Sequence, residues 1–177
     1  PYTGQAGFDL YIGNTYQDMK FYRTSNFDFN KNEYEFTFFN HPFLSSDNKL
    51  YVLNFPLYAT VEELLIGVNP NCNITPCLDL FKTEDKIVFY GTSITQGGCA
   101  SRPGLCYTNL LTRWMKSEII NFGFSGNAFG EKIIASIMAS ITDASMFIID
   151  YEANGGTNGK LEKTLEEFIL TIREKHP

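Results

Sequence analysis

At 177 residues the chain can bury one ordinary hydrophobic core or two small ones. Hydrophobic residues make up 44% of it and charged residues 19%, which excludes a disordered chain. Twenty acidic against 14 basic residues give a net charge of -6 with no basic stripe, and no apolar run approaches the ~20 residues of a membrane span, so neither nucleic acid nor a membrane is an expected partner.

The chain opens on Pro1-Tyr2-Thr3-Gly4, with no initiator Met and no basic or apolar leader pattern, and it stops at His176-Pro177 just after a helical segment. Both ends are expected to be cuts through a longer protein. Residues 1–70 predict an all-β part. Short segments near 8–12, 19–24, 33–39, 50–58 and 61–68 are rich in Phe, Tyr, Leu and Val, and turn material separates them. Glu33-Tyr34-Glu35-Phe36-Thr37-Phe38 alternates with period two, the pattern of a half-buried antiparallel strand. The expected architecture there is part of a sandwich or jelly roll, with its linker occupying residues 1–80. That linker, from Asn69-Pro70-Asn71 to about Glu84-Asp85, has two prolines and little periodicity.

Cys72, Cys77, Cys99 and Cys106 stand as two pairs, five and seven residues apart. Metal sites use tighter spacing with histidines nearby, so no metal or other cofactor is expected, and buried free thiols are expected ahead of disulfides.

From Lys86 the grammar changes to alternating strands and helices. Ile87-Val88-Phe89-Tyr90, Ile119-Ile120-Asn121-Phe122 and Met146-Phe147-Ile148-Ile149 read as strands covered on both faces. Between and after them, three sets of apolar residues recur at helical spacing: Tyr107 to Trp114, Ile133 to Ile141 and Leu161 to Ile172. The order βαβαβα predicts a parallel sheet built by right-handed crossovers, occupying residues 81–177.

In an open parallel sheet the loops leaving the carboxyl ends of the strands form the site. Here they are Gly91-Thr92-Ser93-Ile94-Thr95-Gln96-Gly97-Gly98, Gly123-Phe124-Ser125-Gly126-Asn127 and Asp150-Tyr151-Glu152-Ala153-Asn154-Gly155-Gly156. Each combines small residues with a hydroxyl or amide, and all three should reach one rim.

Gly91-Thr92-Ser93 directly after a strand, then Gly126, then Asn154 four residues beyond the Asp150 that ends the third strand, resembles the block pattern of the SGNH (GDSL-like) hydrolases. The longer string from Gly91 to Gly104, together with Gly7-Phe8-Asp9-Leu10-Tyr11, resembles a bacterial branch that joins an N-terminal GxDLY β-domain to that hydrolase domain. The resemblance implies a flavodoxin-like α/β/α domain with five parallel strands in order 2-1-3-4-5, of which this chain supplies the first three. It implies Ser93 as nucleophile and Gly126 and Asn154 as oxyanion donors. Thr92 stands where the commonest family version has Asp, a variant frequent in this branch. Thr92, Asn127 and Arg102 are further candidates for substrate contact, Arg102 equally for pairing with an acid.

The chemistry of ester attack asks for the same set: an exposed hydroxyl, a base, and donors for the oxyanion that develops. Plainer roles exist for each residue. Ser93 could cap the following helix, Gly126 could serve a turn, and Asn154 could cap the turn before the glycine pair; Asp150 is expected to be structural, and Ser125 and Asn127 structural or pocket-lining. The resemblance also implies an Asp-x-x-His base near the C-terminus, and no such pattern occurs. His41 lies in the β-rich part, and His176 ends a helix whose ~1.5 Å rise per residue carries it ~24 Å from the rim. The chain as it stands is therefore expected to be nearly inactive. The reading is a serine esterase that removes acyl groups, acetyl above all, from carbohydrate or small-molecule esters. An acyltransferase using the same serine, and a flavodoxin-like module binding an anion at the helix N-terminus, are the alternatives.

Overall fold

A computed structural model of the chain describes residues 1–40, 48–77, 80–81, 86–156 and 159–177. The N-terminal part begins with one helical turn, α1 (Tyr2–Gln5), followed by the strands β1 (Asp9–Gly13), β2 (Lys20–Thr24) and β3 (Leu50–Asn54). These form an antiparallel sheet in the order β2-β1-β3, with Asp9 opposite Thr24 on one side and Asn54 on the other. A second sheet facing it, as a sandwich requires, is not found among the described residues.

Two of the expected strands take no ladder partner among the described residues. Over 33–39 the period-two burial is present, with Tyr34, Phe36 and Phe38 half-buried and Glu33, Glu35 and Thr37 exposed. Rings rather than backbone pairs make the contacts: Tyr34 stacks on Phe27, and the Arg23 guanidinium lies over Phe36. Alternation reports which face is covered, and a strand needs paired N–H and C=O groups as well. Over 61–68 the apolar run forms no regular element and is exposed beyond Val61, Leu65 at 81% and Ile66 at 63%, and its β-branched and leucine content signalled a strand with nothing to pair against among the described residues.

The second part follows the predicted order closely. Its strands β4 (Lys86–Gly91), β5 (Glu118–Gly123) and β6 (Ala144–Asp150) form a parallel sheet in the order β5-β4-β6. Helices α2 (Ser93–Gln96), α3 (Tyr107–Met115), α4 (Lys132–Ala139), α5 (Glu152–Gly155) and α6 (Lys160–Arg173) alternate with them, and a 3₁₀ turn lies at Pro103–Leu105. The fold is thus mixed α/β. β4 is central and buried on both faces, which explains its unbroken apolar sequence. Val88 and Tyr90 face a core with Met138 of α4 and Phe168 and Ile172 of α6. The Tyr90 ring lies 4.6 Å from Phe168, and its buried hydroxyl donates to Glu131 (2.6 Å) and accepts from the Gly130 N–H (2.8 Å). On the other face Phe89 meets Tyr107 of α3 edge-on.

The cysteines depart from expectation in their burial. All four are free, but only Cys106 is buried, while Cys72, Cys77 and Cys99 are exposed. The last three lie in turns or irregular chain, where no packed layer covers a side chain.

Candidate active site

The register of the parallel sheet builds the rim. Gly91, the last residue of β4, pairs with Gly123 on one side and with Asp150 on the other, so all three strands end level. Adjacent strands are ~4.8 Å apart, which places the starts of the three loops within about 10 Å of one another. The loops are also tied together. The Phe124 N–H donates to Gly91 O (2.8 Å), joining the second loop to the first.

Ser93 is the first residue of α2 and is half-buried. The capping role belongs to its neighbour: the Thr92 hydroxyl accepts from the Ile94 N–H (3.3 Å), and Gly97 in the left-handed region closes the helix. Thr92 is only 2% exposed, so its side chain is spent on the helix rather than turned toward a substrate. Among the described residues the Ser93 hydroxyl has no hydrogen-bond partner. Beneath α2, Thr95 is fully buried and accepts from the Tyr107 phenol (3.0 Å), a group whose pKa burial raises and which therefore stays neutral.

Ser125, Gly126 and Asn127 are exposed on the second loop. Gly126 sits at φ +68, a conformation that glycine adopts without steric cost. The Asn127 amide donates to Ser125 O (2.8 Å), closing the turn around it. Asn154 lies on α5, beside this loop. Its amide oxygen accepts from the N–H groups of Asn127 (3.3 Å) and Ala128 (3.1 Å) in the orientation that matches acceptor to donor. In the reversed orientation its nitrogen donates to Phe124 O at 3.4 Å, so either way the side chain rests on the Gly126 loop.

Two groups that sequence reasoning passed over hold this arrangement. Asn121 of β5 donates to Thr95 O (2.7 Å) and accepts from the Gly123 N–H (2.8 Å), fixing α2 against the end of the strand. Gln96 of α2 reaches the second loop, where its side-chain oxygen accepts from the Ser125 N–H (2.8 Å). Gln96 stood inside the Gly91–Gly98 string, but a polar side chain one turn after a serine has no pattern that announces its partner.

Arg102 turns to the N-terminal sheet. Its Nε lies 3.5 Å from the Asp9 carboxylate, its guanidinium 3.9 Å over the Phe21 ring, and Nη2 donates to Tyr11 Oη at 3.4 Å. Of the two roles open to it, pairing with an acid is the one occupied. Asp9 and Tyr11, two apart on β1, share a face, so the Gly7–Tyr11 motif meets the second part through both side chains. His176 Nε2–H donates to Ala139 O (3.1 Å), and the ring packs edge-on against Phe147, at the edge of the sheet opposite the rim. His41 lies outside the described residues. Three or more potential metal ligands do not cluster anywhere among the described residues.

Residues 84–177 match the model of the GDSL-like Lipase/Acylhydrolase family, and residues 1–74 match that of the GxDLY N-terminus of SGNH-hydrolase-type esterases. No curated protein matches the chain. The crystal structure of a protein described as a GDSL-like lipase from Bacteroides ovatus ATCC 8483 superposes with a TM-score of 0.81 at 32% identity, over 100% of this chain and 50% of that one. The salicylyl-acyltransferase SsfX3 from a tetracycline biosynthetic pathway shares the fold, with a TM-score of 0.58 at 16% identity over 97% of this chain and 46% of that one. The chain therefore spans about half the length of these two structures. With a rim of level strand ends and a family model matching more than half of its residues, the chain belongs to the GDSL-like lipase/acylhydrolase family and carries the GxDLY N-terminus.

Proposed function

We propose that the chain carries the nucleophile and oxyanion donors of a serine esterase. The carrying observation is the shared register of Gly91, Gly123 and Asp150, which brings the loops of Ser93, Gly126 and Asn154 to one edge. Ser93 Oγ attacks the ester carbonyl, and its proton passes to a base. The carbonyl oxygen takes up negative charge and accepts from the N–H groups of Ser93 and Gly126 and from the Asn154 amide. Collapse of this intermediate expels the alcohol and leaves an acyl-serine, which water hydrolyses to regenerate Ser93. Acetyl esters of carbohydrates or small molecules are the proposed substrates, and no cofactor enters the scheme.

An imidazole does not meet Ser93 among the described residues, and His176 is engaged at the far edge. We place the base in the half of the fold present in the structural relatives and not spanned by this chain. The division into an accessory β part over 1–80 and a hydrolase part over 81–177 is retained in this reading, as is Asn127, exposed beside Gly126, as a substrate contact. The anion-binding alternative is weakened by α2 itself, since a four-residue helix develops little of the dipole that holds a phosphate.

The test is fluorophosphonate labelling and p-nitrophenyl acetate hydrolysis by the protein expressed from its complete gene. Ser93→Ala should abolish labelling and lower the rate at least ~10³-fold, and the 177-residue chain alone should fall by a similar factor, since loss of a triad member leaves only binding and oxyanion stabilisation. Retained labelling after Ser93→Ala would overturn the assignment. Product analysis with added alcohol separates transfer from hydrolysis.

A further inference from the structure

The loop that presents Gly126 has three consecutive exposed residues, Ser125, Gly126 and Asn127, and a backbone in the left-handed region at its centre. Left to itself such a turn samples several orientations, and an N–H that must meet a developing oxyanion has to be held in one. Asn154 holds it from one side, through Asn127 and Ala128. Gln96 holds it from the other, and does so with a partner that lies in a different part of the chain. While its Oε1 accepts from the Ser125 N–H at 2.8 Å, its Nε2 donates to Leu57 O at 3.1 Å. Only one orientation of the amide satisfies both neighbours, one of them an N–H and the other a carbonyl.

Leu57 is itself fixed. Its N–H donates to Gly4 O (3.1 Å), and the next two N–H groups, of Tyr58 and Ala59, donate to Gln5 O (3.0 and 2.9 Å). The segment 57–59 is thereby clamped to α1, with Leu57 and Tyr58 standing against Gly97 and Gly98 behind α2. One continuous set of hydrogen bonds runs from α1, through Leu57 and Gln96, to the residue preceding Gly126.

We propose that Gln96 is a positioning residue through which the N-terminal part sets the direction of the Gly126 N–H, so that the GxDLY part contributes to catalysis without touching the substrate. This rests on the assignment of Ser93 and Gly126 made above. Gln96 adds no group to the reacting atoms; it acts on turnover through Gly126.

The experiment uses the protein expressed from its complete gene and compares wild type, Gln96→Met, Gly126→Ala, the double variant and Ser93→Ala. Methionine keeps the length and packing of the side chain and removes both hydrogen bonds. Gln96→Met should lower kcat roughly tenfold to a hundredfold, less than the ~10²–10³ of removing a donor outright, with KM changed less than about threefold. Since both residues act through one N–H, the double variant should fall no more than about threefold below Gly126→Ala alone. Amide hydrogen exchange supplies a readout that does not need activity: the Ser125 N–H should exchange at least about tenfold faster in Gln96→Met, with amides of β4 unchanged. Multiplicative losses in the double variant, unchanged kcat, or unchanged Ser125 exchange would each overturn the proposal. Global loss of β4 protection would also overturn it, by making Gln96 a determinant of folding. Survival of activity in Ser93→Ala would instead refute the underlying assignment, which separates the two failures.

Discussion

At Gly126 the backbone holds φ +68, and a Cβ there would meet no atom within 4 Å. The space is open, so the objection to a side chain is conformational only. Placing an L-residue in the left-handed region costs about 1–2 kcal/mol, and the turn can escape that cost by rotating its N–H away. Gly126→Ala should therefore lower stability by about 1 kcal/mol or less, yet reduce kcat on p-nitrophenyl acetate by roughly 10- to 100-fold. Denaturant unfolding beside steady-state kinetics reads the two effects separately. A stability loss without a kinetic one would reduce Gly126 to a turn residue. Asp9 presents the opposite case, a side chain with no freedom at all. It is fully buried, and it accepts from Asn54 Nδ2 (2.7 Å) and the Gly104 N–H (2.8 Å). Burial raises its pKa above the usual 3.8, and the hydrogen bonds from Asn54 and Gly104 and the Arg102 charge offset this only in part. The folded state thus holds this proton more tightly than the unfolded chain. The corresponding stability is present in full below pH 3.8 and is lost as pH rises through the raised folded value.

Among the elements, α2 and the end of β5 are packed as closely as backbone allows. A Cβ on Gly123 would stand 2.0 Å from Gln96 N, so the strand must end in glycine for the helix to lie where it does. Gly123→Ala should force α2, and Ser93 with it, off the rim. The expected cost is about 1–3 kcal/mol from overpacking, with at least a tenfold fall in the rate of fluorophosphonate labelling. A labelling rate equal to wild type would show that α2 is not held by this contact. The helix stripes were legible for a simple reason. α3, α4 and α6 each bury one face on a sheet, and burial on one face is what a 3.6-residue period records. The segments 33–39 and 61–68 were misread because period and propensity carry no information about a hydrogen-bonding neighbour. α1, α2 and α5, one turn each, are too short for any period to be seen.

For the molecule as a whole, the join between the two parts rests on a small polar centre. Asp9 of β1 meets Gly104 and Arg102, and Arg113 adds a hydrogen bond to Gly104 O (2.5 Å) with its guanidinium over the Tyr11 ring. Asp9→Asn would set an amide N–H or a weaker acceptor against the Gly104 N–H. The loss should be about 1–3 kcal/mol, the cost of a buried donor left poorly matched. Because the wild-type carboxyl contributes most when protonated, the penalty should be larger near pH 3.8 than at pH 7. Denaturant titrations of both proteins at the two pH values check the sign, and a penalty that grows toward neutral pH would contradict the burial-driven shift of Asp9.

The linear order of residues was enough to predict the three parallel strands and the long helices, and to place Ser93, Gly126 and Asn154 each in the segment that follows one of those strands. These features are local or periodic, and chain order preserves them. Folding alone decided that Gly91, Gly123 and Asp150 end level, that Thr92 caps a helix, and that Arg102 serves Asp9. It also decided that Gln96 spans from Leu57 to Ser125. Each of these is a meeting of residues far apart in sequence, set by strand register and by the docking of one sheet beside another, and a side chain's partner across such a distance leaves no trace in the spacing of its own neighbours.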